Sequence, residues 1–143
     1  MLKGTVYDKL ANINVKKTLV KILKDKRIQK QITDLNTEVQ LFQRGEDSEG
    51  KKLEKYAPST IRIKKIRRQP TNRTTLKDTG DMYETWYVNV GNDASFTIEA
   101  NTVKDGYDLR EKYGDDIVGL TDENVKIVIE LLEQEFYREL LSR

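Results

Sequence analysis

Cysteine and histidine are both missing from this 143-residue sequence. Their absence excludes thiol nucleophiles, Ser–His–Asp relays, Cys/His zinc sites and iron–sulfur clusters. General acid–base chemistry is left to Asp, Glu, Lys and Tyr, which is a narrower choice. The lack of cysteine also means that no disulfide framework exists, which suits a reducing cytoplasm. We therefore expect a protein that is not an enzyme and that uses neither a cofactor nor a metal ion.

Long apolar runs are missing as well. No stretch approaches the ~18 apolar residues of a transmembrane helix, and Met1-Leu2-Lys3-Gly4 does not lead into the apolar segment of a signal peptide. We expect a soluble protein, made inside the cell, without membrane contact. Hydrophobic residues are 36% of the chain and charged residues 35%, against ~45% apolar in typical globular chains. Such a chain builds a small core, which a partner often completes.

Charge is distributed unevenly, although the formal net charge is only +2. Residues 51–77 contain ten Lys or Arg and one Glu, whereas residues 105–143 contain eleven acidic and five basic residues. This polarity favours head-to-tail contact between copies, or contact with a polyanion. We therefore expect a homo-oligomer, and we also consider non-specific contact with DNA.

The N-terminal third has the spacing of an amphipathic helix. Its apolar residues recur at intervals of three or four, which places them on one helix face. Gly45 follows as a C-terminal stop. The pattern predicts helix over residues 15–43 with a weak joint near Asp25, and we expect residues 1–14 to lie loose. The stripe consists of Ile28, Ile32, Leu35, Val39 and Phe42.

The C-terminal segment predicts the strongest helix of the chain. Thr121 is a good N-cap, and Asp122 and Glu123 occupy the first turn, where the helix dipole favours negative charge. The apolar residues that follow form one stripe, widened on one side. The stripe is Val125, Ile129, Leu132, Phe136 and Leu140, and the widening residues are Val128 and Leu131.

Between these helices the sequence predicts a β-hairpin. Asp78-Thr79-Gly80 is typical of a tight structural turn, because Gly adopts a backbone conformation that residues with a Cβ resist. Apolar and polar residues then alternate on both sides of Gly91-Asn92-Asp93, which is turn chemistry. An isolated hairpin is marginal in water, so it needs a surface to pack on. Trp86 and Phe96 are the expected anchors.

Residues 44–77 form a long polar connection, in which Ser59 to Arg68 predicts a short helix capped by Ser59 or Thr60. Together the elements predict an α+β fold. A long N-terminal helix and a C-terminal helix pack on a small antiparallel β-hairpin or sheet, with a long basic loop or arm over residues 44–77. The length fits a single domain, residues 1–143.

Several short motifs follow one another in a familiar order. They are Gly-x-Asp-x-x-Gly after a helix, a Pro and hydroxyl residues before a basic pair, Leu-x-x-Thr-Gly, an aromatic–Gly pair, and a Gly-Leu-(Ser/Thr) cap. Here they correspond to Gly45 to Gly50, Pro58 to Thr60 with Lys64-Lys65, Leu76 to Gly80, Tyr107 with Tyr113-Gly114, and Gly119 to Thr121. In this order the chain resembles the virion-morphogenesis and tail-completion (head–tail joining) proteins of tailed bacteriophages. It lacks the family's usual Trp after the first turn and the His before the aromatic–Gly pair.

The resemblance implies a structural protein of the virion. Such a subunit acts in the neck or tail, in tail completion or head–tail joining, and assembles into a ring that often has six copies. Its partners are further copies of itself and neighbouring neck or tail proteins. The resemblance also implies a location in the neck or tail of the virion, and in the host cytoplasm during assembly.

Seven residues are candidates for an interface or for DNA contact. The basic ones either meet DNA phosphates without reading sequence or order against an acidic face of the next subunit. The alternative to a virion subunit is a small nucleic-acid-binding module that uses residues 51–77 as a basic arm. The candidates are Tyr56, Arg62, Lys64, Lys65, Arg67, Arg68 and Trp86.

Overall fold

The structure, a computed structural model, describes residues 14–142. It is an α+β fold, as predicted, with helices packed around two small antiparallel two-stranded sheets. The expectation for residues 1–13 lies outside the described residues. In chain order the elements are α1 (Val15–Leu23), α2 (Lys26–Asp34), a π-helix (Leu35–Arg44), α3 (Pro58–Ile66), α4 (Asp81–Glu84), β1 (Tyr87–Val90), β2 (Phe96–Glu99), β3 (Val103–Lys104), β4 (Tyr107–Asp108), α5 (Leu109–Tyr113), a 3₁₀ turn (Asp115–Ile117) and α6 (Asp122–Leu141).

The N-terminal helices break where the sequence predicts a joint. Asp25 caps α2, because its Oδ1 accepts a hydrogen bond from the backbone N–H of Arg27 at 2.8 Å. α2 continues without a break into the π-helix. That helix ends at Gly45, which has a φ of 61° and so adopts the left-handed conformation that glycine favours. The predicted helix over residues 15–43 is therefore confirmed as two segments joined at Asp25.

The predicted apolar stripe holds only as far as the π-helix. Ile28 and Ile32 are fully buried, but the fully buried residues that follow include Asn36 and Gln40, while Val39 is only half-buried. Hydrogen bonds in a π-helix span five residues instead of four, so each turn takes up more residues and the buried face shifts along the sequence. For this reason the stripe prediction is wrong for Val39 and Phe42, whereas Leu35 still packs against the core.

Two buried amides of the π-helix bind the loop that precedes α6. The Asn36 side chain donates to the carbonyl of Ile117 at 3.0 Å and accepts from the N–H of Gly119 at 2.7 Å. The Gln40 side chain donates to the carbonyl of Gly119 at 2.8 Å and accepts from the N–H of Thr121 at 2.8 Å. Buried polar backbone groups need such partners. We call these contacts, together with Asn124 below, the amide junction.

The C-terminal helix begins as predicted, but its first two turns bury a different face. Thr121 is its N-cap and accepts from the N–H of Asn124 at 3.2 Å. The buried face runs through Asn124 and Val128, and the Asn124 amide donates to Gln40 at 2.8 Å. Val125 and Ile129, which the sequence places in the stripe, are 39% and 49% exposed. The stripe prediction is wrong for Val125 and Ile129, because the first two turns of the helix direct their buried face toward the amide junction. It is confirmed for the residues that are buried or pack against the core, which are Val128, Leu131, Leu132, Phe136 and Leu140.

The predicted hairpin is present, with Val88 opposite Ile98 and Val90 opposite Phe96. Gly80, with a φ of 93°, precedes α4 as the predicted turn requires. A second, shorter hairpin pairs β3 with β4 around Asp105-Gly106. Both turn residues have positive φ, at 51° and 89°, which is the turn geometry that Asp-Gly favours.

The core consists of two clusters that meet at the first hairpin. One cluster surrounds Trp86 and Leu41, and the other surrounds Val88 and Ile32. Ile98 packs against both clusters. Trp86 is a buried anchor of the hairpin, as expected, whereas Phe96 is only partly buried.

Residues 44–77 are folded onto this body and contain α3. The helix starts with Pro58 in its first turn and Ala57 as its N-cap, without a side-chain hydrogen bond at the cap. Proline suits this position because its φ is already helical and it lacks an N–H. The predicted short helix is therefore present, but the prediction that Ser59 or Thr60 caps it is wrong.

Candidate docking helix, basic cleft and acidic groove

Lys64 and Tyr56 fasten α3 to the rest of the chain. Lys64 is only 7% exposed, and its ammonium donates to the carbonyl of Lys77 at 3.1 Å and to the Gln69 side chain at 3.3 Å. The same ammonium lies 4.8 Å from the centre of the Tyr56 ring, a distance typical of cation–π contact. The Lys64 charge is therefore satisfied inside the chain, and its side chain is not free to meet a partner.

The Tyr56 hydroxyl holds the next segment of the chain in place. It accepts from the N–H of Thr75 at 2.9 Å and from the N–H of Leu76 at 3.3 Å. Leu76 has a φ of 58°, a conformation that costs energy in residues other than glycine. The neighbouring Tyr83 hydroxyl donates to the carbonyl of Thr75, and burial raises the pKa of that phenol. These two tyrosines keep residues 75–76 in one conformation.

An ion pair completes the attachment at the end of α3. Arg67 donates to Asp78 at 2.5 Å, and the Gln69 amide donates to the carbonyl of Asp78 at 2.8 Å. The hydrogen bond from Arg67 holds the pKa of Asp78 below its usual value. We call the contacts of Lys64, Arg67 and Gln69 with residues 77–78 the charged junction.

α3 ends in a Schellman motif that uses an arginine where glycine is usual. The N–H of Gln69 donates to the carbonyl of Lys64 at 2.8 Å, and the N–H of Arg68 donates to the carbonyl of Lys65 at 3.1 Å. Arg68 has a φ of 56°. This bonding pattern defines the motif, and its left-handed position strongly favours glycine. The end of α3 is therefore well fixed, at some cost in backbone strain.

The outer face of α3 combines apolar and basic side chains. Ile66 is 82% exposed and Ile63 is 51% exposed. Arg62 and Lys65 are exposed beside them, one turn away or next to them along the helix. Of the basic residues in 62–68, only Arg67 forms an ion pair within the described part of the chain. We call Arg62, Ile63, Lys65 and Ile66 the docking face.

A basic cleft of about 390 Å³ lies between α3 and the segment that contains the second hairpin and α5. Its cationic residues come partly from residues 51–77 and partly from residues 104–112. Tyr107, 58% exposed, adds an accessible ring. Phosphates and stacked bases are ligands that such a surface can bind. The cationic residues that line the cleft are Lys64, Arg67, Lys77, Lys104 and Lys112.

A third feature is a groove of about 400 Å³ between the helices of the N-terminal region and α6. Its apolar lining is framed by carboxylates and amides, and it contains no cationic residue within the described part of the chain. We call it the acidic groove. Its apolar residues are Leu35, Val39, Ile127 and Leu131, and its polar residues are Gln31, Asp34, Glu38, Glu130 and Gln134.

Trp86 is separate from the basic residues that the sequence groups with it. It is buried in the core and lines a cleft of about 500 Å³ next to the Thr79-Gly80 turn. Its indole N–H has no hydrogen-bond partner among residues 14–142. A side chain in this position supports the hairpin and presents little surface to a partner.

The structure thus divides the seven sequence candidates among three places. Tyr56, Lys64 and Arg67 line the basic cleft, Arg62 and Lys65 lie on the docking face with Arg68 exposed just beyond it, and Trp86 lies in the core. Sequence reasoning missed Lys104 and Lys112, because they lie outside residues 51–77, next to or within the acidic residues 105–143. The Asp105-Gly106 turn was the local signal for the hairpin that brings Lys104 to the cleft.

Comparison with protein-family models, with curated proteins and with solved structures finds no match for the chain. None of the helices within residues 14–142 combines the length and the apolar character that a membrane crossing requires.

Proposed function

We propose that this chain is a structural subunit of a tailed bacteriophage, which assembles into a ring in the neck or tail and acts in tail completion or head–tail joining. The observation that carries the proposal is the docking face, where two exposed isoleucines lie among cations that form no ion pair within residues 14–142, on a helix that is itself fixed. Exposed apolar side chains of this kind mark protein contact surfaces. A helix that is already ordered loses little conformational entropy on binding.

The order of the sequence motifs supports the phage proposal independently of the docking face. Gly45, Gly80 and Gly114 all have positive φ, and Thr121 caps α6. The residues that resemble the family therefore lie at turns and helix ends, where backbone geometry demands particular residue types. A subunit in the virion, with host cytoplasm as its place of synthesis, is the location that this function requires.

The test is light scattering coupled to size-exclusion chromatography, at several protein concentrations and at two salt levels. We expect a discrete oligomer, or growth toward one as concentration rises, and a smaller species in high salt because surface charges are screened. A monomer at every concentration tested, up to the millimolar range, would contradict assembly by the chain alone.

The basic cleft favours a second candidate, a nucleic-acid-binding module. Lys104 and Lys112, which line the cleft with the exposed ring of Tyr107, fit a single-stranded backbone with stacked bases. In that case an oligonucleotide should bind at low micromolar concentration with a steep dependence on salt. Replacing Lys104 and Lys112 by Ala should abolish this binding, whereas the docking-face variant Ile66→Glu leaves all five cleft cations in place. Equal binding by both variants would contradict a cleft site.

A further inference from the structure

We propose that the acidic groove is the receptor for the docking face of a second copy of this chain, so that copies join head to tail. The inference deepens the proposed function and rests on its premise that the chain assembles with itself. It assigns the two surfaces of one contact, α3 on one copy and the groove beside α6 on the next.

The two surfaces match in chemistry. The docking face presents Ile63 and Ile66 between cations, and the groove presents apolar residues between carboxylates. An apolar helix face laid into an apolar groove is a common mode of recognition, with anchors at positions i, i+3 and i+4. Ile63 and Ile66 are three residues apart, and Arg62 lies four residues before Ile66. Opposite charges around the apolar contact fix its orientation.

The two surfaces also match in length. α3 has nine residues, which corresponds to about 13 Å at 1.5 Å per residue. The groove is lined from Gln31 to Val39 on one side and from Ile127 to Gln134 on the other. These spans correspond to roughly 10–12 Å of helix. A single helix of the length of α3 therefore fills the groove.

The charges of the groove are incompletely matched by residues 14–142 of the same copy. Asp34 pairs with Lys30 at 3.1 Å, and Glu38 reaches Lys77 only at 3.8 Å. Glu130 forms no ion pair with any of residues 14–142. Incoming cations from another copy would therefore meet available carboxylates.

A second copy fits this groove better than other occupants. DNA is repelled by its carboxylates, and the two exposed isoleucines gain nothing from a phosphate backbone. The helix of the same copy cannot turn into the groove, because Lys64 and Arg67 bind it to residues 77–78. Two docking faces cannot pair with each other, because like charges would meet. The contact therefore joins unlike surfaces, and repetition of such a contact closes a ring or extends a filament.

Two single substitutions test the contact from opposite sides. Ile66→Glu places a carboxylate at the centre of the docking face, and Ile127→Lys places a cation in the groove. Both side chains are exposed, at 82% and 43%, so the fold is expected to stay intact. Each variant should weaken self-association at least about 30-fold, as the loss of a central interface residue does. Sedimentation velocity over a range of concentrations measures the effect.

The decisive experiment mixes the two variants. Each retains one intact surface, so an equimolar mixture should form a 1:1 complex and no larger species, while each variant alone stays monomeric. Ile129→Lys is the matched control on the same helix, because Ile129 is 49% exposed and does not line the groove. Val103→Glu, at an exposed residue of β3, is the control for the docking face. Both controls should assemble like the unmodified chain.

The outcomes separate this inference from the proposed function. If the unmodified chain assembles but both variants assemble equally well, the pairing of α3 with the groove is overturned and ring assembly stands. A mixture that stays monomeric, or controls that fail as the variants do, also overturns the pairing. If the unmodified chain stays monomeric up to the millimolar range, both the pairing and self-assembly are overturned.

Discussion

The amide junction and the charged junction both attach one segment of the chain to another, but they use opposite chemistry. In the amide junction, Asn36 and Gln40 bind the loop before α6 with neutral groups that are completely buried. In the charged junction, Lys64 and Arg67 bind α3 to residues 77–78, and the Arg67–Asp78 pair is partly exposed to solvent. Neutral hydrogen bonds inside a core are insensitive to salt and pH, whereas exposed ion pairs are screened and titrate. We expect the fold to depend on the first junction and the placement of the docking face to depend on the second.

The largest expected effect comes from Gln40→Leu. The change leaves the N–H of Thr121, the carbonyl of Gly119 and the amide of Asn124 without this partner. Each unsatisfied buried group costs about 1–3 kcal/mol, so we expect a loss of about 3–5 kcal/mol in the free energy of unfolding. Denaturant unfolding measures it. Gln43→Leu, at an exposed position of the same helix, should change stability by less than about 0.5 kcal/mol.

Lys64→Met tests the buried half of the charged junction. Methionine keeps the apolar stem but leaves the carbonyl of Lys77 and the side chain of Gln69 without the ammonium. We expect a loss of about 1–3 kcal/mol, seen as faster hydrogen exchange in α3 than in α6. Lys65→Met, one residue along and exposed, is the matched control and should leave exchange unchanged. Equal effects of the two changes would show that burial of Lys64 does not matter.

Asp78→Asn tests the solvent-exposed half of the charged junction. The lowered pKa of Asp78 means that its ion pair stabilises the folded state fully above the unfolded pKa of about 3.9. That contribution is lost as pH falls through the lower folded pKa. At neutral pH we expect a cost of about 0.5–1 kcal/mol, typical of exposed pairs. Unfolding measured at pH 7 and at pH 2.5, and in low and high salt, should show this cost shrink in acid and in high salt. The loss of stability caused by Gln40→Leu should change with neither pH nor salt concentration.

Arg68→Gly gives the smallest expected effect and the opposite sign. Glycine adopts the positive φ of 56° at this position without the strain of roughly 1–2 kcal/mol that other residues pay, and its greater freedom in the unfolded state offsets part of the gain. We expect stabilisation by about 0.5 kcal/mol in thermal unfolding. Arg62→Gly, inside the same helix, should instead destabilise by about 1 kcal/mol. Stabilisation by both would contradict the Schellman assignment.

The two junctions also mark the limit of what the sequence could predict. Local chemistry predicted the joint near Asp25, the cap at Thr121, the stop at Gly45 and the first hairpin, because each depends on a few neighbouring residues. The amide junction could not be predicted, because buried asparagine and glutamine look like surface residues until their backbone partners are known. The exposure of Val125 and Ile129 could not be predicted for the same reason, because the helix buries the face that carries Asn124 instead.

For the candidate surfaces too, local sequence predicted some features, and only the packing of the chain reveals the others. A run of cations predicted the basic character of residues 51–77, but Lys64 looks no different from Lys65 in sequence, although one is buried and the other is exposed. The second hairpin, which adds Lys104 to the cleft, left only an Asp-Gly dipeptide as its signal. The acidic groove is built from helices far apart in the chain, and only their packing reveals it.

The sequence distance that the amide junction spans has a consequence for synthesis on the ribosome. Gln40 and Thr121 are 81 residues apart, and translation at 5–20 residues per second takes roughly 4–16 s to cover this distance. During that time the nascent chain displays the polar and apolar residues of its N-terminal helices without the C-terminal helix that covers them. The groove between these helices does not yet exist. If α3 docks in the groove as proposed, a copy can receive another only after α6 has been made, so unfinished chains on one polysome would not join each other.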